Sequence, residues 1–124
     1  MTEAALVFDK QGRTLYWHEP EGATAASLPD SHVLWEVLWQ QRERLGGVAH
    51  THPARGRVYP SFTDVTTWAA IEAGLGRKLV WPIVGTDDVR CFRMRGEAPV
   101  EIVGDQLKCW PLEELDELRR RSGV

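Results

Sequence analysis

Cysteine is scarce in this sequence. Only Cys91 and Cys109 occur, outside any C-x-x-C pair or zinc-finger spacing, so neither a disulfide framework nor a thiolate metal site is expected and both read as reduced thiols without chemistry. Excess positive charge is missing too: the formal net charge is −3, which supplies no broad attraction to nucleic acid. No apolar run approaches the ~20 residues needed to span a bilayer, and the N-terminus carries no basic segment followed by a long apolar stretch and a cleavage site. Repeats and low-complexity tracts are absent. The expectation is a cytoplasmic protein with neither nucleic acid nor membrane as its partner.

What is present fits one globular core. A chain of 124 residues with 43% hydrophobic and 27% charged residues is long enough for one core and too short for two ordinary domains, so residues 1–124 read as a single domain. Tryptophan is the one abundant oddity. Six in this length require several to be partly exposed, which suits a partner surface or a homodimer.

Along the chain, "AALVFD" and "RTLYWHE" flank the break "KQG" and predict a β-hairpin over residues 4–19. Leu34, Val37, Leu38 and Leu45 recur at helical spacing and predict a helix from Ser31 to Leu45, ended by Gly46 and Gly47. Val48–His52 reads as a short buried strand that breaks at Pro53. "FTDVTTWAAIEAGLG" is then a helix with Gly74 and Gly76 as stop signals, followed by strands in "KLVWPIVG", "DVRCFRMRG" and "PVEIVG". A closing helix over about 111–121 places acid early and base late, which suits the helix dipole. The order ββαβαβββα points to an α/β fold, a mixed central sheet flanked by helices.

Chemistry concentrates in "HTHPARGRVYPSFTD". Residues two apart on a strand share a face, so His50 and His52 project together while Thr51 points away. Two imidazoles and a carboxylate are a recurring ligand set for a catalytic zinc that keeps a position open for water. Asp64, in the first turn of the following helix, is the nearest carboxylate able to return to the strand end. The same residues have a plainer reading, because S-x-x-D at a helix start is also a cap: Ser61 accepts a first-turn N–H and Asp64 favours the positive helix end. Paired histidines can likewise be solvated strand-end residues. A cupin-type site would need a glutamate soon after the second histidine, and Pro53–Tyr59 contains none.

The combination of His50-Thr51-His52-Pro53 with Pro60-Ser61-Phe62-Thr63-Asp64 resembles the JAMM motif of the JAB/MPN (Mov-type) zinc metalloprotease family, in a small prokaryotic-type form. The element order resembles that family over roughly residues 3–105. The resemblance implies the MPN/JAB fold, related to that of cytidine deaminases, with Zn2+ held by His50, His52 and Asp64. It implies Ser61 as the stabiliser of the oxyanion and a peptide or isopeptide bond as the target. Family substrates include chains ending in a ubiquitin-like tail and bacterial sulfur-carrier proteins. The loop from Pro53 to Pro60 is one residue longer than the family commonly has, an extension that closure entropy absorbs at well under ~1 kcal/mol.

The family's general base is a glutamate at the head of the first hairpin strand, preceded by a helix for which the residues before Glu3 leave no room. Glu3 is the residue at that position here; its other reading is a solvated residue on a fraying end. Glu36 is the rival carboxylate, but it lies opposite the apolar stripe of its helix and belongs in water. Glu19 and Glu21 read as loop carboxylates, and His18 as a half-exposed strand residue rather than a fourth ligand. Arg55 and Arg57 suit either an acidic partner or a solvated loop. Trp35 and Trp39, on the flank of the first helix, read as edge-of-core residues that would also serve a dimer. The alternative to an enzyme is a non-catalytic MPN-like scaffold that retains the zinc or binds a partner; a role in DNA processing is disfavoured by the acidic balance.

Overall fold

The apolar stretches on either side of Lys10–Gly12 form the hairpin: β1, Ala5–Asp9, pairs antiparallel with β2, Thr14–His18. The computed structural model describes residues 1–53, 58–103 and 112–123, so Arg55, Arg57 and Cys109 lie outside the described residues. After the hairpin come α1 (His32–Gln40), β3 (Leu45–Thr51), α2 (Phe62–Leu75), β4 (Trp81–Val84), β5 (Val89–Arg95), β6 (Ala98–Ile102) and α3 (Leu112–Ser122). The strands make one mixed sheet in the order β2-β1-β3-β4-β5-β6. Only β3 and β4 run parallel, as the α2 crossover between them requires; every other neighbouring pair is antiparallel.

β1 is buried along its whole length because both faces of the sheet are covered. Ala5 and Val7 face a core completed by Leu34 and Leu38 of α1, Val48 of β3, and Trp68 and Ile71 of α2. Leu6 and Phe8 face the opposite way, against Ala49, Val80 and the α3 residues Leu115 and Leu118. The helices are built for this. Ser31 caps α1 by accepting the Leu34 N–H at 3.0 Å, and Leu34 and Leu38 are its buried pair one turn apart. In α2, Trp68, Ile71, Glu72 and Leu75 are buried at helical spacing, and Gly76 closes the helix in the left-handed conformation at φ 67°. Among the described residues no helix is long and apolar enough to cross a membrane.

Two expected helix stops are corrected. The first helix ends at Gln40 and not at Leu45, and Gly46 and Gly47 are strand residues. The reason is close backbone approach. A Cβ on Gly47 would collide with the Val80 carbonyl and the Phe8 ring, and one on Gly46 with the Asp9 carbonyl. Glycine here lets β3 lie between its neighbours rather than stopping a helix. Gly74 is likewise inside α2 and does not end it.

Two substitutions separate these roles. Gly47→Ala should destabilise the protein by roughly 1–3 kcal/mol or more through the backbone collision. Gly74→Ala, whose new methyl would have Trp35 Cζ3 at 3.8 Å as its nearest neighbour, should stabilise it by about 0.5–1 kcal/mol. Urea unfolding measures both; a stabilising Gly47→Ala would contradict the strand assignment.

Candidate metal centre

Strand alternation does most of the positioning. Val48 and His50 of β3 face α1 and α2, whereas Ala49 and Thr51 face α3. His52, just past the strand, continues the first set, and its backbone N–H is held by Val84 O at 2.9 Å. Asp64 arrives from the other side as the third residue of α2. Ser61 Oγ accepts the Asp64 N–H at 3.0 Å and the Ser61 N–H donates to Asp64 Oδ2 at 2.9 Å, a complete capping box.

The three side chains converge. His50 Nε2 and His52 Nε2 are 2.9 Å apart, His50 Nε2 is 3.3 Å from Asp64 Oδ1, and His52 Nε2 is 3.1 Å from Asp64 Oδ2. Protons alone do not satisfy this triangle. An Nε2 carries at most one hydrogen. If both carry one, the two N–H groups confront each other; if only one does, the other nitrogen turns a lone pair on the carboxylate. Burial pushes the Asp64 carboxyl up, but hydrogen bonds from His50 and His52, their charge and the Ser61 N–H outweigh it and hold it well below the usual carboxylate range. Asp64 is therefore an ionised acceptor.

A cation among the two ring nitrogens and the Asp64 carboxylate would remove the conflict. Ligands about 2.0–2.1 Å from one zinc at tetrahedral angles lie about 3.3 Å from each other, close to the separations seen here, and imidazole nitrogen with carboxylate oxygen is a zinc donor set. Geometry and chemistry both fit.

Glu3 belongs to the same cluster. It is 7% exposed, and one carboxylate oxygen and one ring nitrogen each of His50 and His52 lie within 4.8 Å of one another. The residue is not a fraying end. Its N–H donates to Thr24 O at 2.7 Å, the next residue's N–H donates to Thr51 Oγ1 at 3.0 Å, and Thr51 N–H returns to Ala4 O at 3.0 Å. Thr51 Oγ1 also hydrogen-bonds Ser122 Oγ of α3, whose carbonyl accepts the Thr2 N–H. Burial raises the Glu3 carboxyl above its ordinary value; His50 and His52 pull it down and Asp64 adds to the rise.

Ser61 is exposed and lines the cavity beside the cluster. Its cap uses a lone pair and leaves its O–H proton to give. Sequence reasoning missed the supports. Thr51 and Ser122 tie down the N-terminal segment. Glu72, buried in α2, accepts the Trp81 indole N–H at 2.9 Å and the Leu79 N–H at 3.0 Å. That locks Trp81 against Trp68, stacked at 5.1 Å, while Trp68 meets the His50 ring edge-on at 6.2 Å. Burial at helical spacing hinted at Glu72; nothing local marked Ser122.

Other candidates fall elsewhere. Glu36 is exposed and pairs with His32, and Glu19 pairs with Arg121 at 2.8 Å. His18 corrects the sequence reading: it is 2% exposed, not half-exposed, because its ring is covered by the loop it anchors, with Nε2 2.8 Å from Pro29 O. Trp35 is half-buried, donating to Asp30, whereas Trp39 is 54% exposed under the Arg42 guanidinium. No protein-family model matches the chain, and no curated protein matches it either.

Thr51→Val tests the tie on Glu3. It leaves the Ala4 N–H buried without its acceptor, so stability should fall by about 1–3 kcal/mol. Hydrogen exchange at Glu3 and Ala4 should accelerate more than exchange in the core of α2. Uniform acceleration would show that Thr51 only supports the fold.

Proposed function

We propose that this chain is a JAMM-type zinc metallopeptidase with the MPN/JAB fold, a single domain over residues 1–124 that hydrolyses a peptide or isopeptide bond. The observation that carries this reading is the convergence of His50, His52 and Asp64 in a triangle that protons cannot satisfy, with the buried carboxylate of Glu3 against it. His50, His52 and Asp64 would hold the metal. Zinc in such a site polarises a carbonyl and lowers the pKa of water to about 7.

The protein's own groups would then divide the work. Glu3 takes a proton from the attacking water as its oxygen bonds to the carbonyl carbon, and delivers that proton to the amine nitrogen as the C–N bond breaks. Ser61 keeps its O–H free of the cap and donates it to the oxygen that gains charge, a contribution of about 10²-fold or more to rate. Holding Glu3 through backbone hydrogen bonds fixes its distance to the reacting atoms. Glu3 stands buried against the same histidines, where a carboxylate can serve proton transfer. The reading brings with it a cytoplasmic location and a protein or peptide substrate, with ubiquitin-like and sulfur-carrier tails as the family precedents.

Glu3→Gln keeps the size and removes the base. Peptide hydrolysis should fall by at least about 10²-fold while zinc content and melting temperature stay near those of the parent. Unchanged turnover would remove Glu3 from the mechanism.

A further inference from the structure

Asp64, Trp68 and Glu72 recur at every fourth position of α2 and so lie along one side of the helix. Asp64 is the member at the metal centre. Trp68, buried one turn on, sits among three rings: it stacks on Trp81 at 5.1 Å and 11°, meets His50 edge-to-face at 6.2 Å and 76°, and tilts against Phe92 at 6.2 Å. Glu72, buried a further turn on, turns both carboxylate oxygens to the approach of β4. Its Oε2 accepts the Leu79 N–H and the Trp81 Nε1–H, and its Oε1 lies 3.4 Å from Lys78 Nζ.

The other contacts of His50 show what this stripe does. A metal-ligating histidine ordinarily gives its second ring N–H to a carboxylate, a carbonyl or water, which fixes the plane of the ring. His50 meets His52 and Asp64 through Nε2, and among the described residues its Nδ1 has no hydrogen-bond partner. Its neighbours across the sheet, Ala5 on β1 and Ile83 on β4, are aliphatic and give the ring no direction. Trp68 is the one ring that meets it from outside the ligand set, among the described residues. An edge-to-face pair holds a restricted geometry because the rim of one ring meets the π-face of the other. Trp68 is kept in that pose by Trp81 lying flat against it, and Trp81 by its hydrogen bond to Glu72.

We propose that Trp68 is a positioning residue of the metal centre, setting the plane of the His50 ring, and that Glu72 acts through Trp81 to hold Trp68 in place. The inference rests on the metal-centre reading and deepens it: one side of α2 supplies a ligand, Asp64, and one turn on the support of a second ligand, His50. Core packing alone makes a different prediction. Lost packing lowers stability but leaves the affinity of the folded site for zinc unchanged, whereas a lost outer support lowers affinity by about 10–100-fold.

The test reads metal binding rather than turnover. Zinc affinity is measured by titrating the full chain against a chelator of known affinity, and ligand geometry by the visible absorption of the Co2+-loaded chain. Trp68→Leu should bind zinc about 10–100-fold more weakly than the parent, with altered Co2+ bands. Trp68→Phe, which keeps a ring against His50, should recover most of the affinity. Trp81→Phe keeps a ring on the stack and removes the N–H that Glu72 holds; it should alter the Co2+ bands as well, and it still reports if Trp68→Leu fails to fold. Leu75→Ala is the control, a core truncation on the same helix, and should lose stability while keeping the parent's zinc affinity. Parental affinity and bands in Trp68→Leu, or in Trp81→Phe where Trp68→Leu does not fold, overturn the positioning role and leave the metal centre standing. Equal losses of affinity in Leu75→Ala and Trp68→Leu overturn it too, reducing Trp68 to core packing. Parental bands in Trp81→Phe beside altered ones in Trp68→Leu remove Glu72 from the chain of support. A parent that binds neither zinc nor Co2+ overturns the metal centre and its supports together.

Discussion

The alternation of side chains along β3 is the constraint on which everything else hangs. The strand is paired on both sides, antiparallel to β1 and parallel to β4, with Ala5 opposite His50 and His50 opposite Ile83. That pairing leaves no freedom of register, because a slip of one residue would exchange the two faces. It sends His50 and His52 towards α2, where a capped helix start delivers Asp64, and sends Thr51 towards α3, where Ser122 meets it. One strand therefore carries the cluster on one face and the anchor of Glu3 on the other.

The proposed cation would relieve an energetic conflict in this arrangement. Asp64 and Glu3 are two carboxylates withdrawn from water beside two imidazoles, and desolvation opposes the ionised form of each. Hydrogen bonds compensate Asp64 but cannot satisfy all three contacts among the ring nitrogens and its oxygens. A divalent ion would supply positive charge and replace this conflict with metal–ligand bonds. Binding of that kind adds directly to folding stability, because the ligands are brought together only in the folded chain.

Much of this was legible in the sequence where the signal is local. The break at KQG between two apolar stretches marked the hairpin, helical spacing marked α1, and S-x-x-D after H-x-H-P marked the residues that converge. Asp64 caps the helix and meets the histidines at once: its Oδ2 takes the Ser61 N–H while both oxygens face the imidazoles. The misreadings came from signals that are locally identical and resolved only by distant residues. Gly46 and Gly47 follow an amphipathic run as a helix stop would, yet Val80 and Asp9, remote in sequence, are what require them. His18 ends an edge strand, where half-exposure is the rule, until Pro29 closes over it. The burial of Glu3 depends on Thr24, Thr51 and Ser122, none of which the first residues reveal.

The most direct test of the metal centre is elemental analysis of the purified protein beside Asp64→Asn after exhaustive dialysis. Asparagine keeps an acceptor for the Ser61 N–H, so α2 stays capped while the anionic ligand is lost. The account predicts about one zinc per chain in the parent and little or none in the variant, with helical circular dichroism equal in the two. Equal metal content in both, or none in either, would contradict it and leave the triangle as no more than the decoration of a helix cap.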